Sequence, residues 1–190
     1  MSEKENPAGH AGPEPGYTKT SDCSENTAFH SENQEKIFLR PIPENIPDEL
    51  KALEQWVCWR LELNKDGKET KVPYHPIGFK ADCSKPNSWA SFDQACAGYQ
   101  AGKFDGIGFE FSESDPFAGV DLDHCINKDG SIEPWALSIV ERLNSYTEKS
   151  PSGTGIHIFI KAKLPPGGRK KGHFECYESG RYLTMTGVSI

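Results

Sequence analysis

Two runs in the second half of the chain, Phe117-Ala-Gly-Val-Asp-Leu-Asp123 and Phe174-Glu-Cys-Tyr177, set acidic residues into apolar surroundings with a period of two. A third, Ile156-His-Ile-Phe-Ile-Lys161, is β-branched and aromatic around one histidine. Alternation of this kind commits a segment to a strand with one face in a core and the other free for chemistry. In the first run Val120 and Leu122 point inward, so Asp121 and Asp123 share the other face, with Cα atoms roughly 6.5–7 Å apart. If Phe174 and Cys176 face inward, Glu175 and Tyr177 share the opposite face. His157 and Phe159 likewise fall on one side of their strand.

The rest of the chain supplies strands and helices in alternation without strict βαβ regularity. Pro47-Asp-Glu-Leu50 starts a short helix that ends before Trp56. Trp56–Leu63 reads as a strand, Asn64-Lys-Asp-Gly67 as a turn, and residues 71–74 as a returning edge strand, since Pro73 cannot donate to a ladder. Ser91 caps a helix with Asp93 in its first turn. Residues 106–111 form a strand whose expected neighbour, through a turn at 112–116, is the 117–123 run. Asn127-Lys-Asp-Gly130 is a further turn. Residues 132–143 make a helix, with Trp135, Ile139, Leu143 and Tyr146 on one face. The segments 174–177 and 181–186 read as a hairpin around Glu178-Ser-Gly180. The pattern predicts an α+β domain: a mixed or antiparallel sheet with flanking helices on one side.

Composition sets the limits. Residues 1–41 carry Pro7, Pro13 and Pro15 with too few apolar side chains to offset ordering entropy, so they are expected to form a disordered acidic tail, and residues 42–190 one domain. The net charge of −7 argues against a protein that coats nucleic acid by bulk electrostatics, though not against a local basic groove. The six cysteines show neither C-x-x-C spacing nor a zinc-like Cys/His series, and read as reduced thiols of an intracellular protein. No apolar leader opens the chain and no run approaches the ~18 apolar residues of a membrane span, so a cytoplasmic location, with no membrane partner, is expected.

The polar segments carry the chemistry. Asp121 and Asp123 offer hard oxygen donors that suit Mg²⁺ or Mn²⁺; an isolated pair like this can equally be two solvated aspartates. Ser150-Pro-Ser-Gly-Thr-Gly155 lets backbone N–H groups turn toward an anion, and Ser150, Ser152 and Thr154 add hydroxyl donors beside Gly153. It is not a Walker A loop. His157 follows it, placed to donate to a triphosphate or to serve as a structural histidine. Glu175 would complete a metal site from a neighbouring strand, or is a surface glutamate. Lys161, Lys163, Arg169, Lys170 and Lys171 gather in one loop, either solvated or holding a nucleic-acid backbone. Arg181 is placed to contact phosphate, and Arg60 and Lys71 of the first hairpin could line the same cleft.

In order, these segments resemble the three-motif pattern of the archaeo-eukaryotic primase superfamily: Val120-Asp-Leu-Asp123, Gly155-Ile-His157 and Phe174-Glu-Cys176. The chain is most similar to phage- and plasmid-type primase–polymerases, through Trp56-Val-Cys-Trp59, Lys71-Val-Pro-Tyr74, Asp115-Pro-Phe-Ala-Gly-Val-Asp-Leu-Asp123, the loop to His157, and Gly180-Arg-Tyr-Leu-Thr-Met-Thr-Gly187. The resemblance covers about residues 45–190. It implies an RRM-like palm and metal-dependent nucleotidyl transfer on single-stranded DNA template, using nucleoside triphosphates and Mg²⁺ or Mn²⁺. Asp121, Asp123 and Glu175 match the metal-binding acids, and His157 matches the residue holding the incoming phosphates, with Ser150, Ser152 and Arg181. Relatives often continue into a helical segment and a helicase domain, so a core incomplete at its C-terminal end, with a replicative helicase partner, is expected. Two other readings stay open: a primase-like nucleic-acid-binding module without chemistry, and a metal-dependent nuclease or replication initiator. The last wants a second histidine, where this chain has His157-Ile-Phe159.

Overall fold

The computed structural model of the chain describes residues 36–167 and 169–190, and Lys36–Ile190 makes one compact unit. The expected tail over residues 1–35 lies outside the described residues. Order begins earlier than Ile42. Phe38 sets its ring edge-on to Trp59 with 5.0 Å between centroids, and the Leu39 N–H donates to the Pro151 carbonyl. An extended segment held by one aromatic ring and a few backbone bonds has no periodicity for composition to register.

The chain is α+β, as its pattern predicts, but it builds two antiparallel sheets instead of one. The first has the order β2 (Glu69–Tyr74), β1 (Trp56–Leu63), β3 (Gly106–Glu110), β9 (Tyr182–Met185). The second has the order β5 (Tyr146–Lys149), β6 (Ile156–Lys161), β4 (Phe117–Leu122), β8 (Phe174–Tyr177), β7 (Lys170–Lys171). Helix α1 (Asp48–Lys51) precedes β1. Helix α2 (Phe92–Gln100) packs on the first sheet, and α3 (Pro134–Leu143) on the second. β2 is an edge strand, as Pro73 requires. Ser91 closes a full capping box with Gln94.

Two pairing expectations are corrected. β3 and β4 are not neighbours. The turn between them is pinned by buried Asp115, which accepts from the backbone N–H groups of Ser112 and Phe117 and from the Gln55 amide. That knot sends the chain into the other sheet. β8 and β9 do not form a hairpin: β8 pairs with β4, and β9 pairs with β3. Leu183 and Met185 of β9 stand opposite Phe109 and Ile107, so apolar burial decides the partner over proximity in sequence. β5 was not foreseen. The third helix starts at Pro134 and turns Ala136, Ile139, Val140 and Leu143 inward, leaving Trp135 39% exposed. Tyr146 lies beyond the left-handed cap at Asn144, in β5.

The two sheets share an aromatic core. Phe109 and Phe111 of the first meet Phe117 and Phe159 of the second, with Phe111 and Phe159 stacked at 5.6 Å. Gly119 of β4 permits the approach, because a Cβ there would run into the Phe111 ring and come within 2.7 Å of Leu183 Cδ1. The other face of the second sheet, Val120, Leu122, Ile156 and Ile158, packs on α3. After β9 the chain crosses between sheets: Lys149 N–H donates to Val188 O and Ile190 N–H to Thr147 O. Among the described residues no helix is long and apolar enough to cross a membrane.

Candidate active site

Register places the site. Glu148 of β5 stands opposite His157 of β6, His157 opposite Asp121 of β4, Asp121 opposite Glu175 of β8, and Glu175 opposite Lys170 of β7. Directly opposed residues point to the same side of a sheet, so five strands contribute one continuous row of ionisable side chains. His157 Nε2 lies 3.7 Å from Asp121 Oδ1, and its Nδ1 lies 3.6 Å from Glu148 Oε1. Glu175 is held by Lys170 Nζ and the Tyr177 hydroxyl, so Glu175 and Tyr177 do share a face. Asp123 lies one residue past β4, exposed, with its N–H on the His173 carbonyl.

Charge is concentrated here. Burial pushes the Asp121 carboxyl up; His157 opposes this, while Asp123 and Glu175 add to it. For Glu175, burial works upward but the bonds from Lys170 and Tyr177 prevail and hold it below its usual range. The Tyr177 phenol is pushed up to about 12 by burial and by Glu175. Lys71 reaches toward Asp121 and Asp123 from β2: burial lowers its pKa while both aspartates oppose the shift. Its ammonium sits over the Trp59 ring. Lys71 is therefore within electrostatic reach of both aspartates.

The loop before His157 is internally braced. Ser150 Oγ accepts from Gly155 N–H at 3.1 Å, and Gly153 N–H donates to Ser150 O at 2.8 Å. The hydroxyls of Ser150, Ser152 and Thr154 form a chain at 3.1 and 2.9 Å. Ser152 lines a cleft of about 500 Å³ together with Lys36, Phe38, Thr70 and Lys71. Arg181 is exposed and lies over the Tyr177 ring at 5.3 Å, on the Glu175 side.

The basic loop does not gather at the acids as a block. Lys161 stands opposite Phe117, at the far end of β4 from Asp121, and pairs with Glu49. Lys163 caps the Glu113 and Asp115 carbonyls, and Arg169 binds Glu178. Lys170 touches Glu175, and Lys171 is exposed beside it. Arg60 packs over Tyr74 and Phe104 and donates to Lys103 O. Among the described residues no three His, Cys, Asp or Glu side chains are gathered closely enough to hold a metal ion as they stand. The five described cysteines are unpaired.

Glu148 was missed. The four residues Tyr-Thr-Glu-Lys alternate too briefly to announce a strand, and an acid two residues before a Ser/Gly loop carries no signal of its own.

No protein-family model matches the chain. Over 141 residues it is 40% identical to the DNA primase-polymerase of Nitratiruptor phage NrS-1, an alignment covering 70% of this chain and 19% of that protein. This similarity supports a phage-type primase–polymerase core over the matched part. The chain thus spans about a fifth of the length of that curated relative. In this chain the motif acids Asp121 and Glu175 are direct cross-strand partners, with the motif histidine on the other flank of Asp121.

Proposed function

We propose that the chain catalyses metal-dependent nucleotidyl transfer: template-directed primer synthesis, DNA polymerisation or both, on single-stranded DNA in phage- or plasmid-type replication. The observation that carries this reading is the row that sets Asp121 between His157 and Glu175 on one sheet face. A metal-bearing center beside an anion-suited loop is what phosphoryl chemistry requires.

The donor set fits a hard divalent cation. Asp121, Asp123 and Glu175 are all oxygen donors, and the carboxyl of Asp121 is raised chiefly by burial and further by its two acidic neighbours, whose negative charge a cation relieves. Glu175 must exchange its bonds to Lys170 and Tyr177 to take part. When bound, Mg²⁺ or Mn²⁺ lowers the pKa of a primer hydroxyl and neutralises charge on the transferring phosphate. The chain's own groups do the rest. His157 donates from Nε2 to the phosphates of the incoming nucleotide. Ser150, Ser152, Gly153 and Thr154 offer hydroxyl and backbone N–H donors, Lys71 and Arg181 supply positive charge, and Lys170, released from Glu175, takes up phosphate beside Lys171. Lys161, Lys163, Arg169 and Arg60 are engaged elsewhere and serve a template strand only at the periphery. A palm of the RRM-like type, a replicative helicase partner and a place in the host cytoplasm belong to the same reading.

The test is extension of a primed single-stranded template with labelled dNTPs or NTPs and Mg²⁺ or Mn²⁺. An Asp121→Ala/Asp123→Ala double variant should lose more than about 100-fold in rate, because even partners behind metal ligands cost 10–100-fold. The acids are not gathered into a ready metal site, which favours a second reading, a nucleic-acid-binding module without chemistry. Template binding in both proteins with extension in neither would establish that second reading and overturn the first.

A further inference from the structure

Glu148 is fully buried, and its carboxylate accepts from Thr186 N–H at 2.9 Å, Gly187 N–H at 2.7 Å and the Tyr146 hydroxyl at 2.7 Å. Across the strand pair, His157 Nδ1 is buried and has no hydrogen-bond partner among the described residues. A buried ring nitrogen left unpaired is rare and calls for an explanation. The nearest acceptor is Glu148 Oε1 at 3.6 Å, and a shift of about 0.6 Å brings the pair to ordinary hydrogen-bond length. Bonds in unliganded active sites are often this loose and tighten on binding. An Nδ1 without a proton would set its lone pair against a carboxylate, so Nδ1 carries a proton, and a ring that also donates to phosphate from Nε2 is the imidazolium, with both nitrogens protonated.

We infer that Glu148 is a positioning residue that accepts the Nδ1–H of His157 and so aims Nε2 at Asp121 and the nucleotide side, and that the Thr186–Gly187 turn is the cradle holding Glu148 in place. This rests on the nucleotidyl-transfer reading of His157. It also gives a task to the end of the Gly180–Gly187 motif, which the reaction itself does not use. Gly187 has φ +64°, and a Cβ there would collide with the Ile42 carbonyl. Only glycine lets two successive backbone N–H groups turn onto one carboxylate at that point. The cradle is locked from three further sides: Ile42 N–H donates to Thr186 O at 2.7 Å, Asn45 Nδ2 to Gly187 O at 2.9 Å, and Thr186 Oγ1 to Lys149 O at 2.6 Å. A partner behind a histidine that holds its Nδ1 proton and ring plane is a known way to orient the other nitrogen.

The experiment uses the full chain. Long-range ¹H–¹⁵N spectra of the wild-type imidazoles should show a proton on His157 Nδ1, assigned by its absence in His157→Ala, and Glu148→Gln should change that signal. Glu148→Gln keeps an oxygen for the cradle, and should raise the KM for nucleotide by about 10–100-fold while kcat changes less. Glu148→Gln/His157→Ala should bind nucleotide no more weakly than His157→Ala alone, because the two residues act as one unit. A wild-type Nδ1 without a proton overturns the inference, as do losses that add in the double variant. Should Glu148→Gln fail to fold, the wild-type spectrum alone decides. A wild-type protein that binds no nucleotide but carries the Nδ1 proton would sink the nucleotidyl-transfer reading and leave the contact standing.

Discussion

Glu110 lies fully buried on β3, with neither carboxylate oxygen bonded to any described group. Burial pushes its carboxyl from 4.5 to about 7; the Cys83 thiol pulls down and Asp82 pushes up. An acid raised on folding binds its proton more tightly in the native state. Between pH 4.5 and about 7 the unfolded chain has lost the proton and the folded chain has kept it, so stability falls as pH rises through that window and levels off above it. The full effect is about 3 kcal/mol. Urea unfolding at pH 5 and pH 8 should therefore show the wild type losing stability toward alkaline pH, and Glu110→Gln losing less by roughly that amount. Equal pH slopes would show that Glu110 ionises normally. At this scale the sequence was most legible where chemistry was written in single residues. Asp121, His157 and Glu175 were each picked from their apolar flanks, and the register set them side by side. Glu110 and Glu148 were not, because an acid in a strand looks the same whether its face is covered or open. The positive residues were least legible: Lys161 and Lys170 are read in one loop, yet Lys170 touches Glu175 while Lys161 is carried to the far end of β4.

At the scale of elements, β4 depends on an absence of side chain. Gly119→Ala drives a methyl group into the Phe111 ring and against Leu183, where the two sheets meet. Overpacking of this kind costs about 1–3 kcal/mol, and the urea midpoint should fall accordingly. Ser91→Ala is the comparison, since it breaks the capping box of α2 far from the sheet contact and should cost about 1 kcal/mol. Only the glycine substitution should also reduce template-dependent extension, because it displaces the strand that carries Asp121. No loss of activity would mean that the sheet contact and the site are mechanically independent. The strands β1 and β6 were read with their full limits, since each announces itself locally by period and residue type. Partners were misread wherever pairing is not local. β3 with β9, and β4 with β8, join residues far apart in sequence through burial at Phe109 and Val120, and no turn signal marks such a choice.

For the whole molecule, the cleft lined by Lys71 and Ser152 is bounded on one side by the segment before Pro43. Lys36, Ile37 and Phe38 line it together with Lys71 and Ser152. Phe38 braces Trp59, the ring over which the Lys71 ammonium lies. Leu39 N–H fixes Pro151 O inside the Ser150–Gly155 loop. One short segment thus holds both walls of that cleft, the cationic wall on β2 and the hydroxyl wall before β6. A chain beginning at Lys36 and one beginning at Ile42 differ only in that segment. The shorter one should be less stable by about 2 kcal/mol, from the lost aromatic pair and the apolar area it covers, which is roughly 4–8 °C in melting temperature for a domain of this size. It should also bind nucleotide more weakly, because the Ser150–Gly155 loop loses its brace, while single-stranded template binding, which draws on Lys170 and Lys171 across the sheet, should hold. Equal melting temperatures and equal nucleotide affinities would show that residues 36–41 rest on the core without supporting the cleft.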